Sequence, residues 1–268
     1  MESSHLTDEV QVETSIAKLG SGYAELEGSI INYEYKGFGG FYLKLHDGTV
    51  KWQGFSGAFK DIVRVVYPKV SKIGENIYFL SWETHPENGD NVVYNFNNMT
   101  VYAHLGGGDS FTHISGEIYY HNTLECIEPV GEPMEIEEVM DLLTVNAEKA
   151  SMTLEQALAG QTGPADEKGK NLLSGKTIQY QTPEGKVSIS IDGDITTVKV
   201  GNDASETHLT HTTIVADGIY FISWGGNYSG NHIVFNSFSM KVYKQILPDG
   251  SRQEAIYGAI LFTDTDSV

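Results

Sequence analysis

Two tyrosines flank a glutamate in the stretch NYEY at 32–35. In an extended strand successive side chains point to opposite faces, so Tyr33 and Tyr35 share one face and Glu34 takes the other. A pair of phenols on one face suits a flat substrate. The rings stack on it, and the hydroxyls donate a hydrogen bond or a proton to one of its oxygens. Glu83 and His85 follow the Ser-Trp pair at 81–82 and are of the types that move protons. Tyr33, Tyr35, Glu83 and His85 therefore form the candidate catalytic set. The surrounding stretch is rich in aromatic and amphipathic residues. Tyr42, Trp52, Gln53, Trp82, Tyr94, Phe96 and Tyr119 form the candidate substrate-binding set. His104, His113, His121, His208, His211 and His232 are further acid–base candidates. No metal is expected, because His208 and His211 are badly spaced for one face of a strand and no third ligand accompanies them. The chain has no GxSxG, no Walker loop and no GxGxxG opening a helix. GFGG at 37–40 and GGG at 106–108 read as hairpin turns, and no cofactor is expected.

The elements that position these residues are legible in a repeat. IYFLSW at 77–82 returns as IYFISW at 219–224, and the flanks match as well. NVVYNFNNMTVYAHL from Asn91 parallels HIVFNSFSMKVYKQI from His232. The repeated unit is roughly 95 residues, a duplicated domain rather than a solenoid unit of about 20–50 residues. Runs of period-two alternation, such as VSISI at 187–191, are separated by the turn signals HDG, PEG, DGD and ADG. This pattern predicts an all-β protein of two tandem antiparallel barrels, since closing a meander removes its edges. The boundaries read as an N-terminal extension at 1–27, a first barrel at 28–134, a helical connector and linker at 135–174 and a second barrel at 175–268. The connector shows helical spacing at Ile136, Val139, Met140, Leu142 and Leu143, then at Leu154, Ala157 and Leu158. Ser151 or Thr153 is placed to cap its second part.

The net charge of −19 argues against partners that present phosphates, so neither nucleic acid nor an anionic membrane surface is expected. The single cysteine, Cys126, excludes an internal disulfide framework. No apolar run is long enough to span a bilayer, and the first residues lack the basic and apolar regions of a signal peptide. The expected setting is the cytoplasm. The expected partner is a small hydrophobic metabolite, with a homodimer also allowed.

The order Gly, apolar residues, Tyr-x-Tyr, turn, Thr-Val, IY-x-(I/L)-S-W, turn and V-x-x-x-F resembles phenolic acid decarboxylase, a small calycin-like (lipocalin-like) barrel. The tandem layout over 28–122 and 175–262 is similar to molybdenum cofactor biosynthesis protein F (MoaF). The decarboxylase resemblance implies that two tyrosines hold a substrate carboxylate, which falls on Tyr33 and Tyr35. It implies an arginine after the Thr-Val pair, which falls on Gln53 in the first unit and Lys199 in the second. It implies a glutamate after the Ser-Trp pair, which falls on Thr84, next to Glu83, and on Gly226. The second unit has Tyr180 and Thr182 for the tyrosine pair. Neither unit has the full set, so the resemblance implies an inward pocket more than cinnamate decarboxylation itself.

Together these readings give a cofactor-independent lyase, isomerase or cyclase acting on a small, conjugated, apolar metabolite inside the first barrel, with a largely structural second barrel. The alternatives are a non-catalytic lipocalin-like carrier and a MoaF-like accessory role in cofactor biosynthesis.

Overall fold

The computed structural model describes residues 19–85, 88–107, 110–159, 172–225, 231–246 and 253–263. The first unit contributes strands β1 (Ile30–Tyr35), β2 (Gly39–His46), β3 (Thr49–Gly54), β4 (Val63–Val66), β5 (Lys69–Gly74), β6 (Ile77–His85), β7 (Asn88–Asn95), β8 (Thr100–Gly107) and β9 (Ser110–His121). They form one curled nine-stranded sheet in the order β4-β3-β2-β1-β9-β8-β7-β6-β5. The second unit contributes β10 (Lys176–Thr182), β11 (Gly185–Asp192), β12 (Ile195–Val200), β13 (Glu206–Ala216), β14 (Ile219–Trp224), β15 (Asn231–Asn236), β16 (Lys241–Ile246) and β17 (Gln253–Thr263). These close into an eight-stranded antiparallel barrel through the β10–β17 ladder. The all-β class is as expected.

The first unit differs from a closed barrel at one place, and the repeat explains why. In the second unit β13 is continuous, pairing with β12 through Glu206–Leu209 and with β14 from Thr210 onward. In the first unit the corresponding run is split into β4 and β5 by Tyr67 and Pro68. Pro68 stands where the repeat has Thr210, has no N–H to give a ladder and fixes its own φ. The split leaves β4 and β5 as the two sheet edges, and both are covered. The Met134 N–H donates to the Val63 carbonyl beside β4, and the Val70 N–H donates to the Leu19 carbonyl beside β5. Covered edges do not recruit foreign strands.

The ends of the curled sheet are filled by short helices. The one-turn helix α1 (Tyr23–Leu26) buries Tyr23 and Leu26 at one end. Leu173 occupies the matching place below the second barrel, with Gly28 and Gly175 both at positive φ just after. The connector forms α2 (Ile136–Lys149) and α3 (Leu154–Ala159) rather than one continuous helix. Ser151, at φ 58°, ends the first part. Thr153 starts the second through a reciprocal cap, with the Gln156 N–H donating to Thr153 Oγ1 and the Thr153 N–H to Gln156 Oε1. Val139, Leu143, Ala147 and Ala157 pack on the core of the first unit. Among the described residues no helix is long and apolar enough to cross a membrane.

The two units meet across a shared apolar core built of Ile73, Ile77, Phe79 and Val93 from one and Val215, Ile219, Phe221, Val234 and Tyr243 from the other. The contact repeats itself about a pseudo-two-fold axis. Asn95 Nδ2 donates to the Val215 carbonyl at 2.8 Å, and its counterpart Asn236 Nδ2 donates to the Ile73 carbonyl at 2.8 Å. A self-complementary patch of this kind is the isologous geometry of a homodimer, here built into one chain.

Candidate functional site

Strand parity brings five of the candidate residues into the interior of the curled sheet. Tyr33 and Tyr35 on β1, Trp52 on β3, Trp82 on β6 and Tyr94 on β7 are all buried in its core cluster. The Tyr33 ring meets Tyr35, Phe41 and Tyr94 at centroid distances of 5.3, 5.4 and 5.4 Å. Phe41 in turn meets Trp52 at 5.9 Å. The interior is thus a nest of phenols and indoles in edge and stacked contacts.

Several of its polar atoms are orphaned. Tyr35 Oη, Tyr94 Oη, Trp52 Nε1 and Trp82 Nε1 are buried and reach no partner at hydrogen-bonding geometry. The Tyr94 hydroxyl does face that of Tyr33, closely enough for each phenol to influence the other's acidity. Buried polar groups are nearly always paired, and each one left unpaired costs about 1–3 kcal/mol. Four in one interior therefore need an explanation.

Burial pushes the hydroxyls of Tyr33, Tyr35 and Tyr94 well above the ordinary phenol range, and the Asp90 carboxylate raises all three further. They are protonated hydrogen-bond donors at any physiological pH. Asp90, which is not among the candidates named from the sequence, is the carboxylate that acts on these phenols. It pairs with Trp82 across the β6–β7 ladder and lies two and four residues before the inward-facing Val92 and Tyr94. That alternation was the available signal, because residues i, i+2 and i+4 of a strand share a face.

The remaining candidates lie elsewhere. Gln53 points away from the interior, and its Oε1 accepts the Val130 and Gly131 N–H groups at 2.9 and 3.4 Å. Tyr42 stacks on Phe55 at 4.6 Å outside the barrel. Tyr119 is exposed and donates its hydroxyl to Glu34 Oε2 at 3.0 Å. Phe96 stacks between Tyr94 and His121, 3.7 Å from the latter, near the α1 end. Glu83 and His85 sit on the last rungs of β6, opposite Gly89 and Asn88, and their side chains lie outside the described residues. In the second unit Lys199 is exposed rather than inward.

A cleft of about 530 Å³ opens between the β1–β2 hairpin, the turn Gly57–Phe59 and helices α2 and α3. Tyr35 and Phe38 form its inner wall, and Glu34, Lys60, Lys149 and Gln156 are among its polar lining. Tyr35 therefore stands at the boundary between the cleft and the aromatic interior.

Four of the remaining histidines do come together, but between the units. His104 Nδ1 lies 2.6 Å from Ser223 Oγ and its Nε2 lies 2.9 Å from Thr213 Oγ1. Ser223 Oγ is also 2.8 Å from His232 Nδ1, and His113 Nδ1 is 3.3 Å from His211 Nδ1. The His104 ring stacks on Phe221 at 3.9 Å. Burial, with His232, His211 and His113 adding to it, holds His104 well below the ordinary histidine pKa. The unfolded chain therefore binds a proton that the folded chain refuses. The His104 contribution to stability is present above the ordinary histidine pKa and is lost progressively as the pH falls through and below it. The expected result for His104→Gln, the residue type at the matching repeat position 245, is a flatter stability profile between pH 5.5 and 6.5. Urea titrations across that range check it, and an unchanged slope contradicts it.

A closed eight-stranded antiparallel barrel beside a curled nine-stranded antiparallel sheet with a phenol- and indole-filled interior is the class of protein that the fold defines, and the expected second closure, that of the first unit, is not made. No family model and no curated protein matches the chain. Among solved structures there is similarity to a protein described as a candidate beta-lactamase from Burkholderia vietnamiensis, at 14% identity over 34% of this chain and 94% of that one, with a TM-score of 0.28. A second is the di-domain ARO/CYC StfQ from the steffimycin biosynthetic pathway, at 9% identity over 94% of this chain and 80% of that one, with a TM-score of 0.16. At those scores neither bears on the fold or the site, which rest on the strands and side chains described above.

Proposed function

We propose that the curled first barrel binds a small, flat, largely apolar metabolite and transforms it without a cofactor, by a lyase, isomerase or cyclisation step. The observation that carries this reading is the set of orphaned donors, Tyr35 Oη, Tyr94 Oη, Trp52 Nε1 and Trp82 Nε1, inside one aromatic interior. A carbonyl or carboxylate oxygen of the metabolite supplies the acceptor that these groups lack. Because their acidity is suppressed, the phenols act as donors to charge developing on that oxygen and not as bases. Asp90 is then the proton acceptor, with Glu83 or His85 as the further candidates named by the sequence. The aromatic walls hold a conjugated substrate in a reactive shape, and orientation alone lowers a barrier by several kcal/mol. In this reading the cleft lined by Tyr35 is the way in, and the barrel is of the calycin type that the motifs resemble.

A carrier built on the same interior is the second reading, favoured by the dense ring packing around Tyr33. A MoaF-like accessory role stands beside it on the tandem layout. Mass spectrometry of organic extracts from the purified protein tests the shared premise. A co-purifying planar metabolite, lost in the Tyr33→Phe/Tyr35→Phe double variant, is the expected result. Conversion of that metabolite on incubation separates enzyme from carrier. A metabolite retained equally by the double variant removes the tyrosine pair from the site.

A further inference from the structure

The cleft that meets Tyr35 is walled by elements locked to one another. The Asn146 Nδ2 group on α2 donates to the carbonyls of Ala58 and Lys60, at 3.0 and 2.9 Å, and so fastens the helix to the turn Gly57–Phe59. That turn is pressed in its own right against the β1–β2 hairpin. Gly57 has φ 70°, and a Cβ there would stand 2.1 Å from the Phe38 carbonyl oxygen. The space between is therefore a built cavity and not a seam between loose segments.

Its lining changes character from inside to outside. Tyr35, Ala58 and Ala157 are buried, and Phe38 and Met152 are half-buried. The charged lining is Glu34, Lys60 and Lys149. Both Glu34 oxygens are already engaged, Oε1 by Ser56 Oγ and Oε2 by Tyr119 Oη. The two lysines are exposed, and neither enters an ion pair among the described residues. Lys149 stands three residues after Asn146, on the same face of α2. Since Asn146 is bonded to Lys60 itself, the two lysines share one side of the cleft. Asp61 and Glu148, their neighbours in the chain, do not line it. On a chain of net charge −19, a cavity with two uncommitted ammonium groups and one committed carboxylate is a local reversal of sign.

We propose that this cleft holds the acid group of an amphiphilic metabolite, a flat apolar body that carries one carboxylate. Lys60 and Lys149 take the carboxylate, and the body lies against Tyr35, Phe38 and Met152. The inference rests on the reading of the aromatic interior as a ligand site and names a substrate class for it. The acid is a handle. It stays at the mouth of the cleft and takes no part in the step inside, and the oxygen that meets the orphaned donors is at the other end of the molecule. Opposite charge at a partly solvated site supplies preference and steering more than raw affinity.

The test compares 2-naphthoate with 2-naphthamide, two probes of one shape that differ in charge, on the full chain at low salt. Affinity is read from naphthyl fluorescence, and occupancy of the interior from the indole N–H cross-peaks of Trp52 and Trp82. Naphthoate is expected to bind roughly tenfold tighter, about threefold from each solvated lysine. The preference fades as added salt screens it. Lys60→Gln/Lys149→Gln changes two exposed positions, so the fold is kept, and it brings the probes to equal affinity by weakening naphthoate alone. Equal binding of the two probes to the wild-type chain, or a preference that survives in the double variant, overturns the acid handle. If Trp52 and Trp82 still respond, the reading of the interior stands without it. Binding of neither probe, or binding that moves neither indole, overturns that reading and this inference together.

Discussion

Tyr35→Phe is expected to make the protein more stable and less active at once. The Tyr35 hydroxyl is buried without a partner, so deleting it relieves about 1–3 kcal/mol of desolvation while keeping the ring and its contacts with Tyr33 and Phe41. If the same hydroxyl donates to charge developing on the substrate, its loss costs about 2.7–4 kcal/mol of barrier, or roughly 100–1000-fold in turnover. The double variant with Tyr33→Phe gives the larger loss of rate. A carrier shows only the smaller effect of a neutral hydrogen bond on binding, about 0.5–1.5 kcal/mol. Urea denaturation and turnover, measured on the same preparations, check both signs. A Tyr35→Phe protein less stable than wild type shows that the hydroxyl is an ordinary paired core group, and the site reading then fails. Opposed effects on stability and function are what a site held ready for a ligand produces.

The second large effect belongs to the contact between the units. Phe221 is fully buried, lies flat against His104 and meets Phe79 at 5.5 Å. Phe221→Ala removes a ring from a core that both units share and leaves a cavity that neither sheet can collapse into. The expected loss is about 3–5 kcal/mol. Because the lost contact joins the units, unfolding is also expected to lose its single cooperative step. Phe238→Ala, at an exposed position, is the control and changes little. Calorimetry reads both the midpoint and the number of transitions. A loss below about 1 kcal/mol contradicts a shared core of this kind.

Much of this architecture was legible because duplication writes the same instructions twice. The repeated phrase places Trp82 and Trp224 on equivalent strands, β6 and β14, and the Tyr-x-Tyr alternation correctly put Tyr33 and Tyr35 on one buried face. The opening of the first barrel was legible in principle too, since Pro68 faces Thr210 in the alignment. What the sequence hid was cross-strand register. Gln53 is one residue from the inward Trp52, and Tyr119 one residue from the inward Ile118, and a shift of one residue exchanges inside for outside. Tyr42 and Tyr119, chosen for their aromatic rings, stand at outward positions of their strands, Tyr42 against Phe55 and Tyr119 against Glu34. The four gathered histidines were illegible for a different reason. His104 and His113 meet His211 and His232 only because the two sheets dock, and nothing local to either strand encodes that meeting.

The three tryptophans offer the most direct measurement of the central claim. Trp52 and Trp82 place their indole N–H groups in the first barrel, and Trp224 lies in the core of the second. Each gives its own indole cross-peak in a ¹⁵N-labelled sample, so each barrel reports separately. Titration with a panel of flat, conjugated carbonyl and carboxylic compounds is expected to yield binders that shift the Trp52 and Trp82 peaks together and leave Trp224 in place, with the response weakened in Tyr35→Phe. Binders that shift Trp224 alone, or a panel that moves neither Trp52 nor Trp82, would contradict a ligand site in the interior of the first barrel.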